Sequence, residues 1–518
     1  MLENKDNRLA LSYIGLWITS EYPKKPLPLA VDSIFSLGLH IMRTTPLLWL
    51  LCLFVWLPVA CMADVFPANE VVLHYRLIGF KLPEKQGISG YRLEVFENKT
   101  KILSKESKSP RVIATLPAFG KTYSWRVAYL QKGKISGYSA WYSFSIGKNP
   151  YSDTSLSRLR IITHATKYND MMVFFDNTKT LYNMRGEVLW FLPIIQGITD
   201  STVGQIRDIK LTKDGTITFI TPKSGYEIDY QGNILWATPN DGRISGKKTE
   251  QFHHEFTKLT NGNYMIIGDK FIDQNPDGSI AAKQDTNKTA TKSQATCGMI
   301  IEYNKAHDTV WTWASCYQMS TITLNTHFNA FWFDEKNKVI YTSYRNLAML
   351  IKTAYPSGKV LARYGMGDIQ YPDMRGGSGQ FFAQHNCSIN SEGSLMLFNN
   401  NYKMHLPAGE REKDCIPTVA IFKEPVNTTD TLEKIWEFSC AIDSQAVNMS
   451  QGGGSVRELD KGDYLVCTGH PGRNFIVSKD KKIIWHVISE VYDKGWKPSN
   501  VYRTSAVRKD ELVNMLYR

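Results

Sequence analysis

The sequence predicts an all-β protein, a six-bladed β-propeller preceded by a small fibronectin III/Ig-like β-sandwich. Three observations predict it. Aromatic residues make up 12% of the 518 positions, with 26 Tyr and 13 Trp, and β-branched residues recur in short runs, as pleated, half-buried strands require. Between residues 64 and 148, short segments alternate apolar and polar with the period of a strand. From 149 to 518 a short motif recurs six times, the mark of a repeat architecture.

The sandwich is carried by Tyr91-Arg-Leu-Glu-Val-Phe96, Tyr123-Ser-Trp-Arg-Val-Ala-Tyr129 and Trp141-Tyr-Ser-Phe-Ser-Ile146, separated by turns rich in Gly, Pro and Lys. Asn149-Pro150 closes it. Beyond that point the repeat has two halves. One is a short strand ending in Trp or a substitute: Gly186-Glu-Val-Leu-Trp190, Gly232-Asn-Ile-Leu-Trp236, Asp308-Thr-Val-Trp311, Gly358-Lys-Val-Leu-Ala362, Glu433-Lys-Ile-Trp436 and Lys482-Ile-Ile-Trp485. The other is a turn before an apolar strand, as in Leu211-Thr-Lys-Asp-Gly215 and Leu259-Thr-Asn-Gly262, with a degenerate first copy at Tyr168-Asn-Asp170. Four strands per copy, six times over, close most simply into a propeller. The Trp residues are expected to pack blade on blade.

Residues 1–63 read as a leader. After Arg43, the twenty residues 44–63 carry no charge. Arg43 and this stretch read as the basic and apolar regions of a signal peptide, with Ala60 and Ala63 as cleavage points and Met42 as the expected start of translation. This predicts export to the periplasm. A membrane anchor over 44–63 is the alternative, as is lipidation of Cys61.

Removal of the leader takes eight cysteines to six, an even number in an exported chain. Cys297 and Cys316 flank one expected hairpin, and Cys415 and Cys440 flank another. Opposed residues of a hairpin come within disulfide range, so both bridges are expected.

The formal charge is +12, which favours anionic small molecules or surfaces. The basic residues are scattered without an Arg/Lys block or aromatic-basic RNA motif, which argues against nucleic acid. No glycine-rich phosphate loop is present.

Counting back eight residues from each repeat's turn glycine, or its equivalent, reaches Arg207, His254, Asn329, His385 and Gly454. Equivalent positions on successive blades face one axis, so these are expected to converge. Strand alternation adds His327 to the face of Asn329. Arg345, at the far end of Tyr341-Thr-Ser-Tyr-Arg345, returns to the same channel. Ser455 follows Gly454 and is a further candidate lining residue.

At these residues the chain resembles the bacterial arylsulfate sulfotransferases. The matching segments are His253-His254-Glu-Phe with Leu259-Thr-Asn-Gly-Asn, His327-Phe-Asn329 with Arg345, Gln384-His385, and Gly453-Gly-Ser455 before Leu459. The resemblance covers about residues 150–518. It implies ping-pong transfer of a sulfuryl group from an aryl sulfate donor to a phenolic acceptor, with His385 as nucleophile and no nucleotide or other cofactor. His254, His327, Asn329 and Arg345 would bind the sulfuryl oxygens or assist the leaving phenol, with His253 as the alternative to His254. Arg207 and Ser455 would line the substrate channel, and a homodimer is possible. The chain departs from the family in lacking a close Cys pair before the nucleophile. Cys387 lies two residues after His385 instead, where inner-strand packing is its expected role.

Two other classes remain open. The histidines could hold a metal for hydrolysis, although no carboxylate or thiolate shares their register and Arg345 would repel a cation. A propeller that binds ligands without catalysis is the other. His405, His470 and His486 are expected on the surface or in loops.

Overall fold

A computed structural model describes residues 65–151, 156–200, 205–274, 293–318, 326–365, 380–403, 415–426, 431–443 and 449–517. The leader, with Met42, Cys61 and the apolar segment 44–63, lies outside the described residues, as does His405. Among those described, the chain is nearly all β and has one short α-helix, Leu512–Leu516. No helix among them is long and apolar enough to cross a membrane.

Residues 71–146 form two sheets. One contains Gly90–Glu97, Lys121–Gln131 and Tyr142–Ile146, and the other pairs Leu77–Lys81 with Arg111–Thr115. The alternation of Tyr123, Trp125 and Val127 does what the period requires: all three are buried while Ser124 and Arg126 are only partly covered. Phe80 from the small sheet meets Trp125 and Phe144 from the large one, with ring centroids 5.4 and 6.2 Å apart.

Six further antiparallel sheets follow among the described residues. Their leading strands, in chain order, are Arg207–Leu211, Phe252–Lys258, Phe328–Asp334, His385–Ile389 and Ser455–Glu458, and each begins a sheet of four or more strands. The sixth leading strand is Thr504–Val507, which pairs with Met172–Phe175 and completes the earliest of these sheets. The degenerate copy at Tyr168-Asn-Asp170 is thereby explained: its repeat is assembled from two distant parts of the chain. Successive leading strands touch one another, and Thr504–Val507 contacts both Arg207–Leu211 and the Asp463–Cys467 strand of the last sheet.

The repeated Trp residues join each sheet to the next. The indole of Trp190 donates to the carbonyl of Tyr230 at 2.9 Å, Trp236 to Lys305 at 3.3 Å, Trp311 to Pro356 at 2.8 Å and Trp436 to Lys479 at 2.8 Å. Trp485 in the last sheet reaches Met184 in the first at 2.9 Å. Each ring covers apolar surface while its N–H satisfies a turn carbonyl. The copy with Ala362 lacks an indole. At that junction Tyr341, Lys352 and Tyr364 all bind the carboxylate of Glu424. Apolar clusters fill the spaces between sheets, for example Leu259, Met265, Phe328 and Ile351 between the third and fourth.

Cys297 and Cys316 form a disulfide. Met299 pairs with Ala314, so the two cysteines fall opposite each other. The expected bridge between Cys415 and Cys440 is not formed; both are buried free thiols. Thr418 pairs with Ser439, and the amide of Cys440 donates to the carbonyl of Pro417. Cys440 therefore opposes Pro417, two residues from Cys415. The two sulfurs belong to separate apolar clusters. His470 is exposed, as expected for a loop. His486, expected near the surface, is buried against Phe475, because it lies within the strand Ile483–Tyr492.

Candidate functional site

The starts of the leading strands are irregular, and that irregularity builds the site. In the Phe252–Lys258 strand, pairing jumps from Phe252↔Gly268 to Phe256↔Ile266, so His253, His254 and Glu255 oppose one residue. Asn329 and Asn386 are single extra residues in the next two leading strands. Bulges of this kind re-aim side chains out of strict alternation. His254 (φ 66°) and His327 (φ 54°) adopt left-handed backbone, a conformation that costs about 1–3 kcal/mol and concentrates at functional sites.

The result is a row of imidazoles. Ring centroids of His254 and His327 are 5.2 Å apart, and those of His327 and His385 are 6.4 Å apart. His253 and His254, read as alternatives in the sequence, are both present: their Nδ1 atoms lie 2.6 Å apart, and Nε2 of His253 is 3.2 Å from Oδ1 of Asp269.

Burial holds the rings of His254, His327 and His385 neutral. It lowers the His385 pKa to about 3 and that of His327 to about 4, assisted at both by the charge of Arg345. His254 is pushed well below its ordinary value, again chiefly by burial and then by its imidazole neighbours. At His385, Nδ1 faces two acceptors, Oδ1 of Asn400 at 2.8 Å and the carbonyl of Ala383 at 3.1 Å. The Asn400 amide is oriented in turn, because its nitrogen donates to Oγ of Ser450 and to the carbonyl of Gly453. Nδ1 of the neutral ring must therefore carry the hydrogen, leaving the lone pair on Nε2.

Two guanidiniums and a phenol flank the row. Arg345 donates to the carbonyl of Gln451 at 2.7 Å and to Asn346 at 2.9 Å. Arg207 lies 4.3 Å above the ring of Tyr502. That ring is 5.7 Å from His254 and 6.3 Å from His385, and burial raises its hydroxyl pKa to about 12.

Not every expected residue faces the row. Asn329 is fully buried and donates to the carbonyl of Gln384 at 2.7 Å, bracing the segment that carries His385. Gly454 holds its register position without a side chain, because a Cβ there would lie 2.2 Å from the ring of Phe398. The Ser455 side chain is buried at the start of its strand. Cys387 packs with Tyr341, Leu350 and Leu397 in the cluster between two sheets, as expected of inner-strand packing.

Tyr502, Arg503 and Asp176 were not among the residues read from the repeat. Asp176 accepts the amides of Tyr502 at 3.1 Å and Arg503 at 3.0 Å. Arg503 is buried with Glu255, Asp208 and the carbonyl of Asn329. Tyr502 and Arg503 precede the closing strand, where no turn glycine marks the register. Asn400 did leave a signal: the polar run Asn399-Asn400-Asn401 ends an apolar strand at the place where Arg345 ends another. No group of three or more His, Cys, Asp or Glu side chains among the described residues is arranged to hold a metal ion.

A family model described as Arylsulfotransferase (ASST) matches residues 147–510. No curated protein matches the sequence with significance. Among solved structures, the chain is similar to a protein of unknown function from Bacteroides caccae at 13% identity, covering 68% of this chain and 100% of that one with a TM-score of 0.39. It is also similar to a streptogramin B lyase, at 8% identity, 65% and 89% coverage and a TM-score of 0.35. An auxiliary nutrient binding protein from Bacteroides ovatus matches at 9% identity, 79% and 83% coverage and a TM-score of 0.33.

Proposed function

Because the chain belongs to the arylsulfotransferase (ASST) family, we propose that it moves a sulfuryl group from a phenolic sulfate ester to a phenolic acceptor in two steps, through a sulfated His385. The observation that carries this reading is the fixed tautomer of His385. A buried, neutral imidazole with Nδ1–H held by Asn400 presents Nε2 as a nucleophile. In the first step Nε2 forms a bond to sulfur as the aryl oxygen–sulfur bond breaks. In the second, a phenol oxygen attacks the same sulfur and Nε2 leaves. Covalent capture divides one transfer into two easier ones.

Sulfuryl transfer resembles phosphoryl transfer in spreading charge over peripheral oxygens, so positioned donors and cations supply most of the stabilisation. Arg345 and Arg207 are the cations and the imidazoles of His254 and His327 the donors. Asn329 contributes by holding Gln384 in place rather than by touching substrate. The reading needs no nucleotide donor and no cofactor.

The architecture that suits this reading is a six-bladed propeller over 149–518 with a β-sandwich over 64–148, the six leading strands lining one channel. The disulfide between Cys297 and Cys316 supports an exported protein, for which the periplasm is the expected compartment.

The test is direct. Purified protein is incubated with a chromogenic aryl sulfate, with and without phenol, and His385 is examined by mass spectrometry for an acid-labile modification. Acceptor-dependent release of the aryl alcohol, lost in His385→Ala, supports the transferase. Metal-dependent turnover with an unmodified His385 overturns it.

A further inference from the structure

Resting on that reading, the two-step reaction has a proton to account for. The first step releases a phenolate, which must gain a proton to leave as a phenol. The second consumes a phenol, which must lose one to become a nucleophile. Some group holds that proton before the first step and receives it back in the second. His385 is unsuited, since its Nδ1 hydrogen is held by Asn400 and its Nε2 bonds to sulfur.

We propose that His253 and Asp269 are the proton store and that His254 is the conduit between the store and the reacting oxygen. The geometry is a continuous line: Oδ1 of Asp269 to Nε2 of His253 at 3.2 Å, then Nδ1 of His253 to Nδ1 of His254 at 2.6 Å. It continues to the remaining nitrogen of His254, Nε2, on a ring 5.2 Å from His327. His253 is the imidazole of this row with a carboxylate in hydrogen-bond reach, and it is partly exposed. A cation is thus favoured on His253, which has the carboxylate beside it, over His254, whose charged form is opposed by desolvation and by its imidazole neighbours.

The bonds balance at each stage. In the loaded state His253 is an imidazolium, donating from Nε2 to Asp269 and from Nδ1 to Nδ1 of His254, whose own hydrogen sits on Nε2. As the aryl oxygen–sulfur bond breaks, Nε2 of His254 gives its proton to the departing oxygen and Nδ1 of His254 takes the proton of His253. His253 is left neutral, with Nε2–H still on Asp269. In the second step the acceptor hydroxyl gives its proton to Nε2 of His254, and the Nδ1 proton returns to His253. His253 and Asp269 touch no substrate in this scheme; they are positioning residues that act through His254.

The experiment measures the first step alone, as the burst of phenol released without acceptor, for two donors. Phenyl sulfate releases a phenol that titrates near ~10, like tyrosine, and needs the proton; 4-nitrophenyl sulfate releases a far more acidic phenol and does not. Asp269→Asn and His253→Gln are expected to slow phenyl sulfate by roughly 100-fold, in the range of general acid catalysis, and nitrophenyl sulfate by less than about 5-fold on the same principle. Equal losses for both donors, or no loss for either, overturn the proposal. If neither variant folds, the wild-type pH profile decides. As pH rises and the pair empties its proton, the burst with phenyl sulfate must fall while that with nitrophenyl sulfate stays level; parallel profiles overturn the proposal. The charged and titratable groups packed about this relay are Asp269, His327, His385, Arg207 and Arg345. Failure of the transferase reading itself looks different, since wild-type protein would then release neither phenol or would release both with His385 unmodified.

Discussion

Oδ1 of Asn400 stands 2.8 Å from Nδ1 of His385, and the amide nitrogen of the same Asn400 is bound to Ser450 and Gly453. This single side chain decides which nitrogen of His385 holds the lone pair. Asn400→Ala frees the ring to place its hydrogen on Nε2. Formation of the sulfated enzyme is expected to slow by roughly 10²–10⁴-fold, the range in which loss of an imidazole-orienting partner falls, with KM little changed. Rapid-quench measurement of the first step checks it.

A second expectation concerns acid. The folded pKa of His385 is depressed to about 3 and that of His327 to about 4, against roughly 6.5 in an unfolded chain. Protonation therefore favours unfolding. The stability these rings allow is fully present above the unfolded value and is lost as pH falls from there towards the folded values. Each ring contributes a slope of up to about 1.4 kcal/mol per pH unit. Denaturant midpoints should fall between pH 7 and 5 in the wild type and fall less steeply in His385→Gln.

How much of this was legible beforehand depends on what set each position. Counting from turn glycines reached Arg207, His254 and His385, because each belongs to a repeat whose turn and leading strand are contiguous. It could not reach Tyr502, which precedes a strand that joins the earliest sheet from the far end of the chain, where Met172 pairs with Val507 and Phe175 with Thr504. The repeat count pointed to His254, with His253 as its alternative; the bulge that admits both is a backbone event with no residue signature. Cys415 and Cys440 looked symmetric about a turn, yet pairing of Thr418 with Ser439 offsets them by two residues.

The Trp contacts make a third prediction. Trp485→Phe keeps most of the apolar ring but removes the N–H bound to Met184, leaving a buried carbonyl unsatisfied. The cost should be about 1–3 kcal/mol, read as a lower denaturant midpoint. The matching change in Ala362, the copy without an indole, has no hydrogen bond to lose.

Thiol chemistry supplies the fourth. Native protein should leave Cys387, Cys415, Cys440 and Cys467 unreacted with an alkylating reagent, since all four are buried thiols, and unfolding without reductant should expose them. Mass spectrometry of the peptides distinguishes these from Cys297 and Cys316. Because that bridge spans 19 residues of sequence, its reduction should lower stability by about 3 kcal/mol on the loop-entropy scale.

The strand Thr504–Val507 completes the sheet begun by Met172–Phe175, and the segment just before it brings Tyr502 and Arg503 beside imidazoles synthesised some hundred to two hundred and fifty residues earlier. A nascent chain that stops short of residue 502 already contains every histidine of the row but lacks the strand that completes its first sheet. Such a chain has an open seam, a bare strand edge on Met172–Phe175, and no guanidinium for Glu255. The row of imidazoles thus gains its flanking phenol and its buried guanidinium only when the last residues of the chain have been made.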